Sequence, residues 1–388
     1  MDISYILNEL GEDHAAYFNA VSPPIVQTSN FLFETVEDLR KAFADEYDVF
    51  LYSRGNNPTV EILKQKLAAL DGAEDALVFN SGASAIFCAV LPFVKSGDHI
   101  VSVKAPYTWA QRMFDVILPR FGVTTTYIDG TDIEHWKNAT QSNTVLYYLE
   151  SPNSWSYELQ DLEAVAQLAK SNNIITIIDN SYCTPLYQQP LQYGIDLSLQ
   201  SATKYIGGHS DTVAGVLSGS KAHMEKIFNS EYMTTGAGAT PFHAWLLLRG
   251  LRTLPIRLER VTKTTYQMVD WLLQQNWAED VLFPMHPSFP QYELACKQMK
   301  NAGGLLTFSL KATTVQQIEK FCNSLQHIRM AVSWGGHESL IIPKCAGMPA
   351  SHFDASKARH RQVRLYVGLE DAEYLQSDLA QAALHLSA

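Results

Sequence analysis

The chain has 388 residues, of which 46% are hydrophobic and 18% are charged. This balance is typical of a folded globular protein and excludes a disordered chain, and the length suggests two or three domains. The 29 Lys plus Arg residues stand against 40 Asp plus Glu residues, and the resulting formal charge of -11 argues against a nucleic-acid or anionic-membrane partner.

The apolar runs are all far shorter than the roughly 20 residues needed to span a bilayer. The segment from Met1 to Leu10 carries Asp2 and Glu9, where a signal peptide would have a basic start and an apolar stretch. We therefore expect a cytoplasmic protein. The five cysteines are odd in number and scattered without a C-x-x-C pair, which predicts neither a disulfide framework nor a metal site.

Residues 1–50 contain few strong sequence signals, and we interpret them as an arm that reaches another part of an assembly. Apolar residues at helical spacing then predict a helix from Thr59 to Leu70. Short β-rich runs alternate with helical intervals beyond it, a pattern typical of a parallel α/β sheet. The predicted strands are Ala76–Phe79, His99–Val103, Thr124–Ile128, Thr144–Leu149, Ile174–Ile178, Leu197–Leu199 and Val213–Leu217.

A second unit begins after a long helical stretch that starts near Pro241. Its predicted strands and helices alternate as in a smaller α/β domain. We therefore expect a large domain at 51–245 and a C-terminal domain at 246–388. The predicted elements are strands Leu305–Leu310, Leu340–Ile342 and Val363–Val367 and helices Val315–His327 and Glu370–Leu384.

Asp179 follows the apolar run Ile174–Ile178 and so lies at the carboxyl end of a buried strand, where open α/β sheets bind ligands. It could cap the strand, bind magnesium or pair with a ring nitrogen of a ligand. Magnesium-nucleotide chemistry is excluded because the chain contains neither G-x-x-x-x-G-K-[ST] nor G-x-G-x-x-G.

Lys204 ends the segment Ser201-Ala202-Thr203-Lys204, which follows another short strand. The alternative reading as the S-x-x-K of penicillin-binding proteins fails because neither S-D-N nor K-T-G is present. The remaining interpretation is a lysine that forms a Schiff base and is flanked by hydroxyl groups that bind a phosphate. Pyridoxal phosphate requires such a lysine together with an acidic partner, a role that Asp179 can fill.

A third candidate element for the phosphate is Ser81-Gly82-Ala83-Ser84, which directly follows the first strand of the large domain. A turn of small residues that opens a helix presents backbone N–H groups to an anion. Together with Ser201, Thr203 and Lys204, it predicts a pyridoxal phosphate site.

From Tyr52 to Asp371 the chain resembles the transsulfuration family of pyridoxal-phosphate enzymes of cysteine and methionine metabolism. The matching motifs are Tyr52 to Thr59 (Y-S-R-x-G-N-P-T in the family, with Asn56 here in place of the glycine), Glu150-Ser151-Pro152, Asp179-Asn180, Ser201 to Tyr205 with Gly208 to Asp211, Arg249 to Leu254, Ser333 to Leu340 and Arg364 to Asp371.

The resemblance implies the aspartate-aminotransferase-like fold (fold type I), with a mostly parallel sheet in the large domain, and a homo-oligomer, at least a dimer and more readily a tetramer. It assigns Lys204 and Tyr107 to catalysis, with Tyr107 stacked on the cofactor ring. The implied cofactor residues are Tyr52 and Arg54 from a neighbouring subunit, Gly82, Ala83, Tyr107, Asp179, Ser201, Thr203 and Lys204, and the implied substrate residues are Ser333, Trp334 and Arg364.

Four positions favour β-elimination from a substrate such as cystathionine over γ-chemistry. Val332 stands where the γ-acting relatives often have glutamate, and Trp334, Ser154 and Gln200 resemble the bacterial β-lyase branch. The segment Tyr52 to Thr59 is more similar to the γ-acting relatives, so γ-elimination or γ-replacement remains the alternative. Transamination and a non-catalytic cofactor-binding relative are the other hypotheses.

Overall fold

The structure is a computed structural model that describes residues 1–386. The chain forms two units. The first comprises residues 1–151, 159–207 and 211–252, and the second comprises 152–158, 208–210 and the chain from Thr253 onward. The three-part division predicted from the sequence stays a prediction.

Residues 1–386 contain fifteen α-helices. They are α1 (Ile3–Asn8), α2 (Val36–Ala44), α3 (Pro58–Asp71), α4 (Gly82–Val90), α5 (Thr108–Arg112), α6 (Ile133–Ala139), α7 (Leu162–Ser171), α8 (Thr184–Tyr187), α9 (Lys221–Ile227), α10 (Met233–Thr235), α11 (Pro241–Leu272), α12 (Tyr292–Gln298), α13 (Val315–Ser324), α14 (Ala358–Arg361) and α15 (Ala372–Ala383). Within residues 1–386, no helix is long and apolar enough to cross a membrane.

The strands form one sheet in each unit. They are β1 (Asp75–Phe79), β2 (His99–Val103), β3 (Thr124–Ile128), β4 (Thr144–Glu150), β5 (Ile175–Asp179), β6 (Leu197–Gln200) and β7 (Gly215–Gly219) in the first, and β8 (Ala278–Leu282), β9 (Leu305–Leu310), β10 (Arg329–Met330), β11 (Leu340–Pro343) and β12 (Gln362–Tyr366) in the second.

The sheet of the first unit has the strand order β1-β7-β6-β5-β4-β2-β3. The strand β7 runs antiparallel to β1 and β6, whereas every other neighbouring pair is parallel. The carboxyl ends of the other six strands therefore meet at one edge, together with the first residue of β7. The prediction of a mostly parallel sheet is confirmed, and β7 is its exception.

Both faces of this sheet are covered. Along β4, Leu146 and Tyr148 pack in one apolar cluster, whereas Tyr147 and Leu149 pack in another. Because neither face meets water, the strands are continuous apolar runs rather than alternating ones. These continuous apolar runs are the reason that the strands could be predicted from the sequence.

The helix α3 begins and ends at recognisable residues. The Asn57 side chain accepts a hydrogen bond from the N–H of Thr59, and Pro58 occupies the first helical position. Gly72 ends the helix with a φ of 69°, a left-handed conformation that favours glycine. The predicted helix Thr59–Leu70 is confirmed with one further residue at each end.

The N-terminal residues are held against α3 by a buried cation. The Nζ of Lys66 donates to the carbonyl oxygens of Ile6 and Leu7 at 2.9 and 3.3 Å and forms an ion pair with Glu12 at 3.1 Å. Arg252 also pairs with Glu12, at 3.2 Å, and the Glu12 side chain is completely buried. The first twelve residues are thus part of the packed first unit.

The second unit has its own sheet, in the order β10-β11-β12-β9-β8. All its neighbouring pairs are antiparallel except β10 with β11. The strand β9 has the predicted bounds, while β8 and β10 were not predicted. The helix α13 ends at Ser324 rather than at the predicted His327, because the backbone N–H groups of residues 326–328 bond to the Asp378 carboxylate.

Candidate active site

Asp179, the last residue of β5, starts a chain of hydrogen bonds that crosses to the next strand. Its Oδ1 accepts the N–H of Ser181 at 2.9 Å, and the Oγ of Ser181 accepts the N–H of Ser201 at 2.6 Å. Ser201 directly follows β6. The carboxylate and the lysine segment are therefore fixed to each other through Ser181.

The charge of Asp179 is poorly solvated in this position, because only 8% of the residue is exposed. Burial raises the pKa of Asp179 above its ordinary value, while the hydrogen bond from Ser181 and the positive charge of Lys204 oppose that increase. A cationic partner would stabilise the carboxylate further. This is the environment expected of a residue that pairs with a protonated ring nitrogen.

The segment that carries Lys204 is a tight turn anchored to the start of β7. The N–H of Lys204 donates to the carbonyl of Ser201 at 3.0 Å, and that of Gly207 donates to Ala202 at 2.8 Å. The Thr203 hydroxyl donates to the Ala214 carbonyl at 3.1 Å and accepts the Ala214 N–H at 3.0 Å. Lys204 itself is half-buried at this edge of the sheet.

The turn between β1 and α4 lies beside this lysine segment. Ser81 caps α4 by accepting the N–H of Ser84 at 3.1 Å, and Ala83 in the first turn is exposed. A Cβ placed on Gly82 would meet the Cβ and Oγ of Ser201 at 3.2 Å. Glycine at this position thus allows the start of α4 to approach Ser201 closely. The N–H groups of the first turn of α4, which have no partner within the helix, therefore lie near Ser201.

Tyr107 is positioned by the end of another strand. Its backbone N–H donates to the Glu150 carboxylate at 2.6 Å, and Glu150 ends β4. The Tyr107 side chain is 43% exposed. Burial of the other part and the negative charge of Asp179 raise the pKa of the phenol, so it keeps its proton at neutral pH.

Tyr52 and Arg54 precede α3 and are both exposed. The guanidinium of Arg54 lies 5.3 Å from the centroid of the Tyr52 ring. Within residues 1–386, neither side chain forms a hydrogen bond or an ion pair. Their predicted role, contact with the cofactor of a neighbouring subunit, stays a prediction.

The predicted substrate residues belong to the second unit. Ser333 has a φ of 82°, which is strained for a residue other than glycine, and it precedes the buried Trp334. Arg364 lies on β12, is only 8% exposed, and donates from Nη1 to the main-chain oxygen of Ser154 at 3.1 Å. The predicted contact of these residues with a substrate carboxylate stays a prediction.

The residues of the first unit fit pyridoxal phosphate. The open start of α4, next to Gly82 and Ser201, suits a phosphate group. The buried Asp179 suits a pyridinium nitrogen, and the half-buried Lys204 on its neighbouring turn suits a covalent anchor. Ser201, Thr203, Gly82 and Ala83 are the residues that would hold the phosphate.

Two positioning residues were missed in the sequence. Ser181 joins Asp179 to Ser201, and its signal was the Asp-x-Ser spacing, in which an aspartate binds the N–H two residues later. Glu150 was noted only as part of a motif, although its carboxylate holds the backbone of Tyr107. Both act on residues that were predicted, and neither has a chemistry that the sequence alone would single out.

This arrangement defines an enzyme of the pyridoxal-phosphate fold type I class. A family model described as "Cys/Met metabolism PLP-dependent enzyme" matches residues 6–384. The chain belongs to this family, which confirms the predicted resemblance, fold class and cofactor.

Three similar proteins can be compared with the chain. It is 38% identical to an L-methionine gamma-lyase of Treponema denticola over 94% of this chain and 92% of that protein. It is 33% identical to an O-succinylhomoserine sulfhydrylase of Pseudomonas aeruginosa over 91% of this chain and 88% of that protein. The crystal structure of MetB from Corynebacterium glutamicum superposes with a TM-score of 0.90 at 32% identity, covering 100% of this chain and 98% of that chain.

Proposed function

We propose that the protein is a carbon–sulfur lyase that carries out γ-elimination on an amino acid with a thioether at Cγ. The products are 2-oxobutyrate, ammonia and a thiol, and one water molecule is consumed. The observation that carries the proposal is the 38% identity to an L-methionine gamma-lyase over nearly the whole of both chains. The β-elimination that we expected from the sequence receives less support from the comparisons than this alternative.

Pyridoxal phosphate, when bound, withdraws electrons from Cα of the substrate. The amine of Lys204 then takes the proton from Cα. In γ-elimination it must also remove a proton from Cβ before the carbon–sulfur bond at Cγ breaks. The Asp179 carboxylate is the group that would pair with the protonated ring nitrogen. The hydrogen bonds that join Asp179 to Ser201 through Ser181 hold this carboxylate at a fixed position relative to the lysine segment.

Tyr107 can supply the proton that the departing thiolate needs. Burial and the Asp179 charge raise its pKa, so the hydroxyl is protonated at neutral pH. The Glu150 carboxylate fixes its main chain and leaves the ring half-exposed at the sheet edge. Lys204 remains the second candidate for this proton transfer.

The structure gives other reasons for three residues that favoured β-elimination. Gln200 is buried and donates to the carboxylate of Asp71, so its identity reflects packing behind the sheet. Ser154 contacts Arg364 through a main-chain oxygen, which any residue supplies. Trp334 is buried. These positions therefore weigh little in the choice of reaction.

Val332 is the observation that favours β-elimination as a second candidate. Its side chain is 75% exposed and offers no polar partner to the amine of an incoming substrate. Cystathionine separates the two reactions, since γ-elimination gives cysteine and 2-oxobutyrate, whereas β-elimination gives homocysteine and pyruvate.

The test is to incubate the holoenzyme with cystathionine and with methionine and to identify the keto acid by chromatography. We expect 2-oxobutyrate from both substrates. Pyruvate with homocysteine as the main products from cystathionine would overturn the proposal in favour of β-elimination. The Lys204→Ala variant provides the blank for both reactions.

We also propose a homo-oligomer, a tetramer by family resemblance, with active sites completed by Tyr52 and Arg54 of a neighbouring subunit, in the cytoplasm. Apolar side chains in the N-terminal region support the oligomer. Phe18 is 98% exposed and Leu32 is 97% exposed, which is costly in water and suits burial against another subunit. Light scattering at micromolar concentration tests the oligomeric state, and a monomer would contradict it.

A further inference from the structure

Asn56 lies in the turn that carries Tyr52 and Arg54, at the position where the family has glycine. It does not adopt a left-handed backbone conformation. An asparagine that merely replaced a left-handed glycine would have a positive φ. Asn56 is also buried, whereas Tyr52 and Arg54 on the same turn are exposed. The contribution of Asn56 therefore comes from its side chain.

The side chain of Asn56 ties this turn to a residue nine positions earlier, since its Nδ2 donates to the main-chain oxygen of Tyr47. The backbone N–H groups of Gly55 and Asn56 both donate to the carbonyl of Tyr52, at 2.9 and 3.3 Å. Asn56 is thus bonded to Tyr52 through its backbone and to Tyr47 through its amide group. This one residue closes the turn around Arg54 and attaches the turn to Tyr47.

Tyr47 is a rigid anchor because its side chain is held on several sides. It is buried, and its hydroxyl donates to the carboxylate of Asp75, the first residue of β1. Its ring meets the ring of Phe228 edge-on, with the centroids 5.0 Å apart. The ammonium groups of Lys64 and Lys221 lie 5.2 and 5.8 Å from the Tyr47 ring centroid, within the range of cation–π attraction. The hydrogen bond from Asn56 therefore connects the turn to β1.

The main chain of Arg54 is closely packed, whereas its side chain has no polar anchor. A Cβ placed on Gly238 would come within 2.8 Å of the Arg54 carbonyl oxygen, so glycine there allows the two segments to approach. Within residues 1–386, the guanidinium of Arg54 forms no hydrogen bond or ion pair, and it lies 5.3 Å from the Tyr52 ring centroid. The direction of the Arg54 side chain therefore depends on the turn that Asn56 closes.

We propose that Asn56 is a positioning residue for Arg54, whose amide holds the turn so that the guanidinium is preorganised for the phosphate of the cofactor. Guanidinium binds phosphate through a planar fork of N–H donors, so its orientation matters as well as its charge. A turn that is held before the cofactor binds loses less conformational freedom on binding. This inference rests on the proposed contact of Arg54 with the cofactor.

The first test measures the affinity for pyridoxal phosphate, which is titrated into the full-length protein after removal of bound cofactor. We expect Asn56→Ala to weaken binding about tenfold, because the Tyr47 carbonyl loses its donor and the turn loosens. Asn56→Gly should do the same, although the family has glycine there. Asn138→Ala, an exposed asparagine of the same unit, is the matched control and should have no effect.

A double variant shows whether Asn56 acts through Arg54. If it does, Asn56→Ala should add little to the loss of affinity that Arg54→Ala causes alone, because two changes to one interaction are not additive. An Asn56 that only stabilises the fold would weaken binding equally in both backgrounds. Wild-type affinity in Asn56→Gly, or fully additive effects in the double variant, would overturn the inference.

Hydrogen exchange separates this inference from the proposed role of Arg54. In Asn56→Ala, we expect the backbone amides of Gly55 and residue 56 to exchange about tenfold faster, while those of β1 keep their rate. Faster exchange together with an unchanged affinity in Arg54→Ala would refute the phosphate contact of Arg54 and not the anchoring by Asn56. Unchanged exchange in Asn56→Ala, together with weaker binding in Arg54→Ala, would refute the inference and leave the role of Arg54 standing.

Discussion

The side chain of Asp71 accepts hydrogen bonds from the amide of Gln200 at 3.2 and 3.4 Å. Asp71 ends α3, and Gln200 ends β6 directly before the lysine segment. Asp71 is 1% exposed and Gln200 is 2% exposed. Neutral groups satisfy this carboxyl, since Ser198 is a further donor at 3.5 Å. Within residues 1–386, this buried acid behind the active-site edge of the sheet has no cationic partner.

Asp71→Asn should stabilise the protein at alkaline pH. Burial raises the pKa of Asp71 from 3.8 to about 7, so the native state binds this proton more tightly than the unfolded state does. The stabilising effect of the protonated Asp71 side chain is complete below the pKa of the unfolded state and is lost as pH rises to about 7. We expect a gain of about 2 kcal/mol at pH 8 and much less at pH 4.5.

Thermal unfolding at the two pH values measures this difference. Asp132→Asn is the control, because asparagine caps a helix as well as aspartate does and Asp132 is exposed. A loss of stability in Asp71→Asn at pH 8, or an equal shift at both pH values, would contradict the prediction.

Lys204→Ala should abolish turnover and leave the fold intact. The lysine combines the roles of covalent anchor and base, so its loss should cost several orders of magnitude in rate. Keto-acid release measures activity, and circular dichroism measures folding. Lys263→Ala, an exposed lysine outside the site, should keep full activity. Near-wild-type turnover by Lys204→Ala would refute the assignment.

Arg54→Ala and Lys204→Ala should each be inactive alone and partly active when mixed. If Arg54 acts in the site of a neighbouring subunit, a hybrid dimer contains one intact site. Refolding an equimolar mixture should give about a quarter of the wild-type activity per dimer, since about half of the dimers are hybrids with one working site of two. Activity that stays at the level of the separate variants would show that Arg54 acts within its own chain.

Asp378→Asn should destabilise the second unit. The carboxylate accepts the backbone N–H groups of Gln326, His327 and Ile328, each at 2.8 Å. Burial opposes ionisation, but these three donors outweigh it and lower the pKa of Asp378 below its ordinary value. The stabilisation is present above the unfolded pKa of about 3.8 and is lost as pH falls through the folded value.

We expect Asp378→Asn to cost about 2 kcal/mol, because hydrogen bonds to an ionised acceptor are stronger than those to a neutral one. Thermal unfolding should show the same deficit at pH 8 and pH 5. Glu373→Gln, an exposed acid of the same helix, should have a much smaller effect. A deficit that vanishes already at pH 5 would refute the role of the charge.

The sequence predicted well those features that depend on local pattern. The apolar runs of β2, β3 and β9 had the observed bounds. The predicted Val213–Leu217 begins two residues too early, because the backbone of Ala214 bonds to Thr203 instead of joining the sheet. The strand β8 was missed because it carries two acidic residues, and Asp280 has a left-handed φ of 49°.

Within the candidate site, Lys204 and Asp179 could be predicted because their side chains carry chemistry that few other functions need at a strand end. Ser181 could not be predicted. A serine is informative only through its neighbours, and its neighbour Ser201, twenty residues further along the chain, reaches it through tertiary packing.

Glu12 serves as the common counter-ion of Lys66 and Arg252, and this has a practical consequence for anyone who shortens the protein. The weak sequence signals before residue 50 invite removal of that segment as dispensable. A version that starts after Glu12 would remove the anion of Lys66 together with its carbonyl acceptors at Ile6 and Leu7, and would leave Arg252 without this partner. Poor recovery of such a version from a recombinant host would then reflect an orphaned cation, and purification tags are better placed ahead of the intact first helix.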